Sequence, residues 1–514
     1  MPIRLLSFER HEIGLEIKLL ERGAIISFLE PKLRRLLNAK YPTWDLSTVP
    51  TEENVFAIKG LVRQATHYAI LSHTWLRSDP GEITYSDWIS RSFNPDEAGY
   101  RKLANFCRVA STNHNLSIGW MDTVCINKDS SSELDESIRS MYNWYQCAKV
   151  CIIYLAETTA LLDIHRDPWF TRGWTLQELI APFVVKFYNR NWIQFIQRTN
   201  NDKPSPSFSN IIPEILQEIE KATTMSEFEL VNISKAPISR SMQLAANRIV
   251  TRQEDAAYSL MGIFNVSIAT AYGEGSERAF SRLLQEILNV ERFGVLDIIN
   301  WAGLGRSQRS HILPRSPQQY RFCSSSLDLS DVTPLEPLTL TNMGTRIFVL
   351  LMPGISIARP TGRDQHPKVS PNGDYTATVN ITDPDDDRLG KRTFHLLDRR
   401  ISGPDGGKES DNGQLMTQNT FAVFNIEWKP GGLYIPQTCV AVVLRCFEDA
   451  GKVTSTGMFL RVYTSEPCVF KLKKRSTERR SRNTDSYVDM DEAGEVIAVE
   501  DLRKHGMQLV LKYL

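Results

Sequence analysis

Between residues 68 and 188 the chain alternates short apolar runs with helix-spaced patterns. Tyr68-Ala-Ile-Leu-Ser-His-Thr-Trp75 is apolar through Leu71 and then turns polar, the pattern of a buried strand whose carboxyl end carries Ser72 and His73. Tyr100 to Asn113 sets Leu103, Phe106, Cys107 and Ala110 at the spacing of an amphipathic helix. A second strand is predicted over Leu116 to Ile126 with Asp122 inside it, then a polar turn at Asn127 to Ser132. Glu133 to Ala148 reads as a helix with Ile138, Met141, Tyr142 and Tyr145 on one side, and its acids suit a helix start capped by Ser130 or Ser131. Lys149 to Ala156 is a third strand, Asp167 to Pro182 a helix and Phe183 to Tyr188 a fourth strand.

This order predicts an α/β fold, a parallel sheet of the flavodoxin-like kind with helices on both faces, because parallel neighbours need crossovers. Ligands in such sheets sit beyond the carboxyl ends of the strands. Ser72, His73 and Asn127 therefore fall near one rim.

The flanking regions read differently. Residues 1–66 form an irregular, partly helical lead-in to an α/β domain over 67–195, and residues 196–298 a helical extension with a flexible loop at Thr199 to Ser209. Its segment Ile238 to Leu288 reads as helices broken at Gly262 and at Tyr272-Gly-Glu-Gly275. Residues 299–514 are β-rich: Arg346 to Leu351, Tyr375 to Ile381, Phe394 to Leu397, Phe421 to Trp428, Val440 to Cys446 and Met458 to Tyr463 are short strand-like runs. Polar loops such as Asp383 to Asp387 and Gly403 to Asn412 separate them, which suggests an antiparallel, sandwich-like domain or a partial barrel. The basic run Lys471 to Arg482 reads as a solvated loop.

Charge narrows the function. Lys plus Arg and Asp plus Glu each number 60, giving a net charge of +0, so no surplus of cations recommends a nucleic-acid partner. No apolar run reaches the roughly 20 residues of a membrane span and the first residues lack a secretory pattern, so a cytoplasmic protein is expected. The 8 cysteines include no CxxC pair, which argues against structural zinc and disulfides; Cys107, Cys125, Cys147 and Cys151 lie in apolar surroundings and read as buried thiols. No metal or cofactor is expected.

The segment DPWFTRGWTLQELIAP, 167–182, gathers the candidate chemistry. Asp167 reads as an N-cap with Pro168 in the first helical position, and Trp174 and Glu178 share a face if the helix is continuous. Thr175-Leu-Gln-Glu178 also matches a capping box, with Arg172 or Arg166 as an ion-pair partner for the acid. Ser72 and His73 are neighbours on one strand, so they point to opposite faces and do not form a nucleophile and base pair; a buried histidine with its hydrogen bonds met is the default. Asp122 is a loop anchor or a ligand contact, and Trp120, Trp144 and Trp169 read as core aromatics.

At YAILSHTW (68–75), GWMDTVCINKDSSSELDESIRSMYNWYQCAKVCIIYLAE (119–157) and WFTRGWTLQEL (169–179), the chain resembles the fungal heterokaryon-incompatibility, or HET, domain. AANRIVTRQEDAAYSLMGIF and YGEG (245–275) are similar to what commonly follows that domain. The resemblance implies non-self recognition with cell death as output, and a fold distantly similar to TIR domains. Some TIR domains hydrolyse NAD at the nicotinamide glycosidic bond with a glutamate four residues after a tryptophan, and Trp174 and Glu178 look like that pair. It further implies Glu178 as the catalytic carboxylate, with Ser72, His73, Trp75, Asp122, Asn127, Arg172 and Trp174 as substrate contacts. NAD is then a substrate and not a cofactor. Self-association, or a protein partner or sensor, would control output; a scaffold that signals only by assembly is the alternative.

Overall fold

The computed structural model describes residues 1–11, 14–41, 52–77, 80–195, 213–233, 236–290, 294–301, 312–323, 329, 335–341, 344–357, 375–381, 390–396, 416–446, 459–461, 468–475, 487–489, 494–502 and 507–513. They divide into two compact units, residues 1–236 with 247–283, and residues 237–246 with 284–514.

The first unit holds a six-stranded sheet in the order β2-β1-β4-β3-β5-β6. Its strands are β1 (Leu5–His11), β2 (Gly14–Leu20), β3 (Ala69–His73), β4 (Ile118–Trp120), β5 (Val150–Tyr154) and β6 (Val185–Tyr188). β3 pairs in parallel with β4 (Ala69 opposite Gly119) and with β5 (Ala69 opposite Val150 through His73 opposite Tyr154), and β5 with β6. All five residues of β3 are buried, as a strand covered on both faces requires. The helices are α1 (Arg22–Lys40), α2 (Glu52–Ala65), α3 (Tyr85–Ser90), α4 (Ala98–His114), α5 (Asp122–Cys125), α6 (Ser131–Cys147) and α7 (Thr175–Ile180), followed in this unit by further short helices up to residue 283.

Two successive residues of β4 show the layering. A Cβ on Gly119 would stand 3.0 Å from the Phe106 ring of α4, whereas Trp120 packs edge-on against Trp144 and Tyr145 of α6. Because neighbouring strand residues face opposite ways, α4 and α6 cover opposite faces. From β3 the chain steps first to β4 on one side and then across to β5 on the other, so the winding reverses at β3 and the crevice beyond its carboxyl end is the place such sheets use for ligands.

Several expectations need correction. The lead-in is not irregular at its start: β1 and β2 form an antiparallel hairpin, and β1 pairs with β4 at Leu6–Gly119 and Ser7–Ile118. Arg4 ties this hairpin to Glu133 and Glu21 beneath the Tyr85 ring. Glu133 thus gains a salt bridge besides starting α6, where Ser130 caps its backbone N–H. The strand predicted over Leu116 to Ile126 is only Ile118–Trp120; Asp122 opens the helical turn α5 instead of lying in a strand. The helix predicted over 167–182 breaks into a 3-10 turn, Pro168–Thr171, and α7, with Asp167 accepting from the Trp169 N–H as an N-cap should. Gly262 sits inside a helical turn, Met261–Phe264, where an added Cβ would meet Tyr142 Cβ at 2.1 Å; its smallness serves close packing, not a break. The turn at 272–275 stands, with Gly273 and Gly275 at positive φ and their N–H groups held by the Glu254 carboxylate. Cys107, Cys125 and Cys151 are buried thiols, but Cys147 is exposed. The expected loops at Thr199 to Ser209, Asp383 to Asp387 and Gly403 to Asn412 lie outside the described residues.

Among the described residues of the second unit all strand pairings are antiparallel. Thr438–Cys446, Met416–Val423, Gly344–Ile357, Gly390–Leu396, Tyr375–Ile381 and Cys468–Arg475 pair in sequence, and the last pairs back to the first. That ring is a closed barrel, where a sandwich-like domain or a partial barrel was expected. Leu350, Met352, Phe421, Val423, Cys439, Ala441 and Leu472 join one buried cluster in it. Lys471 to Arg475, expected in a solvated loop, belong to the strand Cys468–Arg475, and the rest of that basic run lies outside the described residues. No described helix is long and apolar enough to cross a membrane.

Candidate functional site

β3 ends in two adjacent polar residues that serve two separate carboxylates on opposite faces of the sheet. On one face, Ser72 Oγ donates to Glu178 Oε2 at 2.5 Å and accepts from Trp169 Nε1 at 2.7 Å. On the other, His73 Nε2 stands 3.0 Å from Asp122 Oδ1, and His73 Nδ1 lies 3.6 Å from Glu82 Oε1. No triad exists here, since each polar group at the strand end already has its own acid.

Glu178 sits in α7, wholly composed of buried residues, and keeps 8% of its surface exposed. The capping-box reading does not hold. Trp174, not Thr175, precedes the helix, and Thr175 Oγ1 donates to the carbonyls of Trp169 and Arg172 while the Glu178 side chain reaches Ser72. Burial pushes the Glu178 carboxyl up to about 7; the Ser72 donor and the charges of His73 and Arg172 pull it down, and Asp122 pushes it up. Near neutral pH it is shared between acid and carboxylate.

The opposite face carries a denser charge cluster. Lys102 Nζ donates to Glu82 Oε1 at 2.5 Å and to the Thr74 carbonyl at 2.7 Å, and both side chains are almost fully buried at 3% and 4% exposure. Glu82 also accepts from the Leu76 N–H at 2.9 Å. Burial alone would raise Glu82, but His73 and Lys102 outweigh it and hold the carboxyl at about 2. Burial and Lys102 work against a proton on His73; Glu82 and Asp122 win, and its affinity for a proton rises. Burial likewise opposes charge on Asp122, yet Lys128, His73 and Trp75 draw it below the ordinary carboxylate range.

Asp122 links this buried cluster to the surface. Its second oxygen accepts from Trp75 Nε1 at 2.9 Å, and Lys128 Nζ lies 3.5 Å from the centre of the Trp75 ring. Trp75 leaves 42% of its surface exposed, a flat aromatic face at the strand-end rim. Perturbed acids and bases gathered at the carboxyl ends of parallel strands are the usual mark of a site.

Of the residues expected from sequence, Ser72 and Glu178 meet on one face at the end of β3, and His73, Trp75 and Asp122 on the other. Arg172 contributes charge to Glu178 and to Lys102. Trp174 turns away, its side chain hydrogen-bonding Asp255, which also accepts from Tyr272 Oη at 2.9 Å. Asn127 serves its own turn: its Oδ1 accepts from the Asp129 N–H at 3.1 Å and its N–H donates to Glu133 at 2.7 Å. Glu82, Lys102, Lys128 and Arg248 were missed. Lys102 had a signal, since it shares the stripe of Gly99, Leu103 and Phe106 on α4 and a lysine there demands a buried acid. Glu82 had none, being set in a loop. Among the described residues no group of three or more His, Cys, Asp or Glu is arranged to hold a metal ion.

Comparison with known proteins agrees with the resemblance. The family described as Heterokaryon incompatibility protein (HET) matches residues 68–163. Vegetative incompatibility protein HET-E-1 of Podospora anserina is 37% identical over 231 residues, covering 43% of this chain. The chain spans 16% of the length of that relative. No solved structure matches the chain.

Proposed function

We propose that the chain, whose residues 68–163 match the heterokaryon-incompatibility family, is a cytoplasmic effector of fungal non-self recognition that kills the cell by hydrolysing the nicotinamide glycosidic bond of NAD, on a fold distantly related to TIR domains. The observation that carries the reaction is the buried Glu178 carboxyl, bonded to Ser72 at the end of β3 and titrating near 7. In the reaction the bond between the ribose anomeric carbon and the pyridinium nitrogen breaks, and nicotinamide leaves neutral with the bonding pair. The ribosyl group left behind is an oxocarbenium-like cation, which the Glu178 carboxylate stabilises; water adds to the anomeric carbon and a proton is released. His73, Asp122 and Arg172 fix the local field. Trp75 offers an aromatic face for a base, and Lys128 beside it a cation for the pyrophosphate.

Assembly controls output in this reading: a second copy or a sensing partner covering the Trp75 rim would exclude water from the cleavage. The residues from 299 to 514 form the regulating or sensing module. The test is incubation of the purified protein with NAD, following free nicotinamide while recording oligomeric state. Nicotinamide release that rises with assembly supports the reading. Assembled protein that kills cells but releases none would replace it with a scaffold acting by self-association alone.

A further inference from the structure

Residues 247–251 lie far from Glu178 in sequence yet run beside its helix start. Ile249 bridges in parallel to Arg172: the Ile249 N–H donates to the Thr171 carbonyl at 2.6 Å and the Gly173 N–H to the Ile249 carbonyl at 2.9 Å. The approach is so close that a Cβ on Gly173 would meet Val250 Cγ1 at 2.4 Å. Arg248 turns inward from this strap. Its Nη1 donates to the Arg172 carbonyl at 2.8 Å and to Thr175 Oγ1 at 2.9 Å, and the residue is buried.

Thr175 stands three residues before Glu178 in α7, on the same helical face. Its hydroxyl donates to the Trp169 carbonyl at 2.5 Å, the Trp169 indole donates to Ser72 and Ser72 donates to Glu178. Arg248, Thr175, Trp169, Ser72 and Glu178 thus form one chain of contacts from the strap at 247–251 to the carboxylate.

We propose that Arg248 is the positioning residue of this site, resting for its chemistry on the glycosidic reading above: its guanidinium clamps the turn that opens α7 and supplies a buried positive charge toward Glu178. Burial draws the Arg248 ionisation down to about 9 while the Glu178 charge holds it up, so the group is still a cation at neutral pH. The other groups that act on Glu178 are Ser72 and His73 of β3, Asp122 of α5 and Arg172 of the turn; its carboxyl in turn acts on Tyr145 of α6 and Cys151 of β5. An arginine suits the role because one planar group donates to two acceptors at once.

The experiment reads Glu178 directly, without relying on turnover. Thermal midpoints are measured from pH 5 to 8, below the Arg248 ionisation at about 9, for the full chain with and without Glu178→Gln, first in the parent and then in Arg248→Gln and Arg248→Lys backgrounds. The difference between members of each pair tracks ionisation of Glu178 alone. In the parent the difference turns over near pH 7. Removing an opposing charge favours the protonated acid, so Arg248→Gln moves the turnover upward. Arg248→Lys keeps the charge and holds it near the parent value. If Arg248→Gln does not fold, Thr175→Val, which deletes the hydroxyl that accepts from Arg248, moves it in the same direction by less. A turnover unmoved in the folded variant overturns the proposal. Nicotinamide release on the same samples separates the two claims: a silent parent with a moving turnover removes the reaction and keeps the Arg248 coupling, whereas an active parent with a fixed turnover does the reverse.

Discussion

Ser72 donates its hydroxyl to Glu178 across 2.5 Å, which joins the end of the first parallel strand to a helix more than a hundred residues later. Burial decides the Glu178 ionisation, and that bond is the largest influence opposing it. Replacement by glutamine keeps size and helix preference while removing the charge. On the proposed reaction, Glu178→Gln is expected to be a folded protein whose nicotinamide release falls about a hundred- to thousandfold, the usual cost of an electrostatic group in a transition state. A stable variant that releases nicotinamide at the parent rate would take Glu178 out of the site.

The same residue predicts a pH dependence of stability. Its folded value, about 7, lies above the ordinary 4.5, so the folded state holds the proton more tightly than the unfolded chain between those limits. Stability from this group is therefore complete below pH 4.5 and is lost as pH rises toward 7, by roughly 3 kcal/mol. Glu178→Gln should gain stability relative to the parent over that window and hold the gain above it. Denaturant midpoints at pH 5 and pH 8 check the sign.

The Lys102–Glu82 pair works in the opposite direction. Glu82 is held at about 2, below its ordinary 4.5, so its contribution is present above pH 4.5 and lost as pH falls toward 2. Lys102→Met leaves Glu82 buried beside His73 without its cation, and such one-sided removal costs about 3–5 kcal/mol. Equilibrium unfolding near pH 7 measures it; a loss under about 1 kcal/mol would show that Lys102 is not the partner that keeps Glu82 charged. Glu82→Gln should flatten the acid limb of the stability curve.

Gly262→Ala sets a methyl group 2.1 Å from Tyr142 Cβ and 2.4 Å from Cγ, atoms near the backbone that cannot swing aside. Overpacking of this kind costs about 1–3 kcal/mol. The thermal midpoint should fall accordingly; an unchanged midpoint would mean that α6 and the turn Met261–Phe264 sit further apart.

Trp75→Ala tests the rim. With 42% of its surface exposed, the ring contributes modestly to folding, and the midpoint should move little. Loss of an aromatic face for a stacked base is worth about 1–3 kcal/mol, so on the proposed reaction KM for NAD rises about tenfold or more. A KM equal to the parent's would place the base elsewhere.

The parallel core was legible because its strands are continuous apolar runs and its two long helices keep their buried stripes, with Leu103, Phe106, Cys107 and Ala110 on α4 and Ile138, Met141 and Tyr145 on α6. Asp122 was misplaced because LSIGWMDTVCI is apolar on both sides of the acid, and a buried helical turn cannot be told from a strand by periodicity over so short a span. The hairpin of β1 and β2 was hidden for a related reason: GLEIKLL alternates weakly and is followed directly by a basic helix. In the site, Ser72, His73 and Glu178 could be named from strand-end position and motif. Arg248 could not, since a lone arginine between Asn247 and Ile249 carries no local pattern and its place is set by a tertiary bridge to Arg172.

The pairing of β1 with β4 has a practical consequence for any shortened chain. The Phe8 N–H donates to the Ser117 carbonyl at 2.9 Å, and Leu6 and Ser7 lie opposite Gly119 and Ile118. A chain cut to begin at Tyr68, where the family similarity starts, would strip this cover and bare the β4 backbone as a row of unmet donors and acceptors. Such an edge recruits strands from other molecules. Clumping of a trimmed chain would then report the missing hairpin and not the proposed assembly.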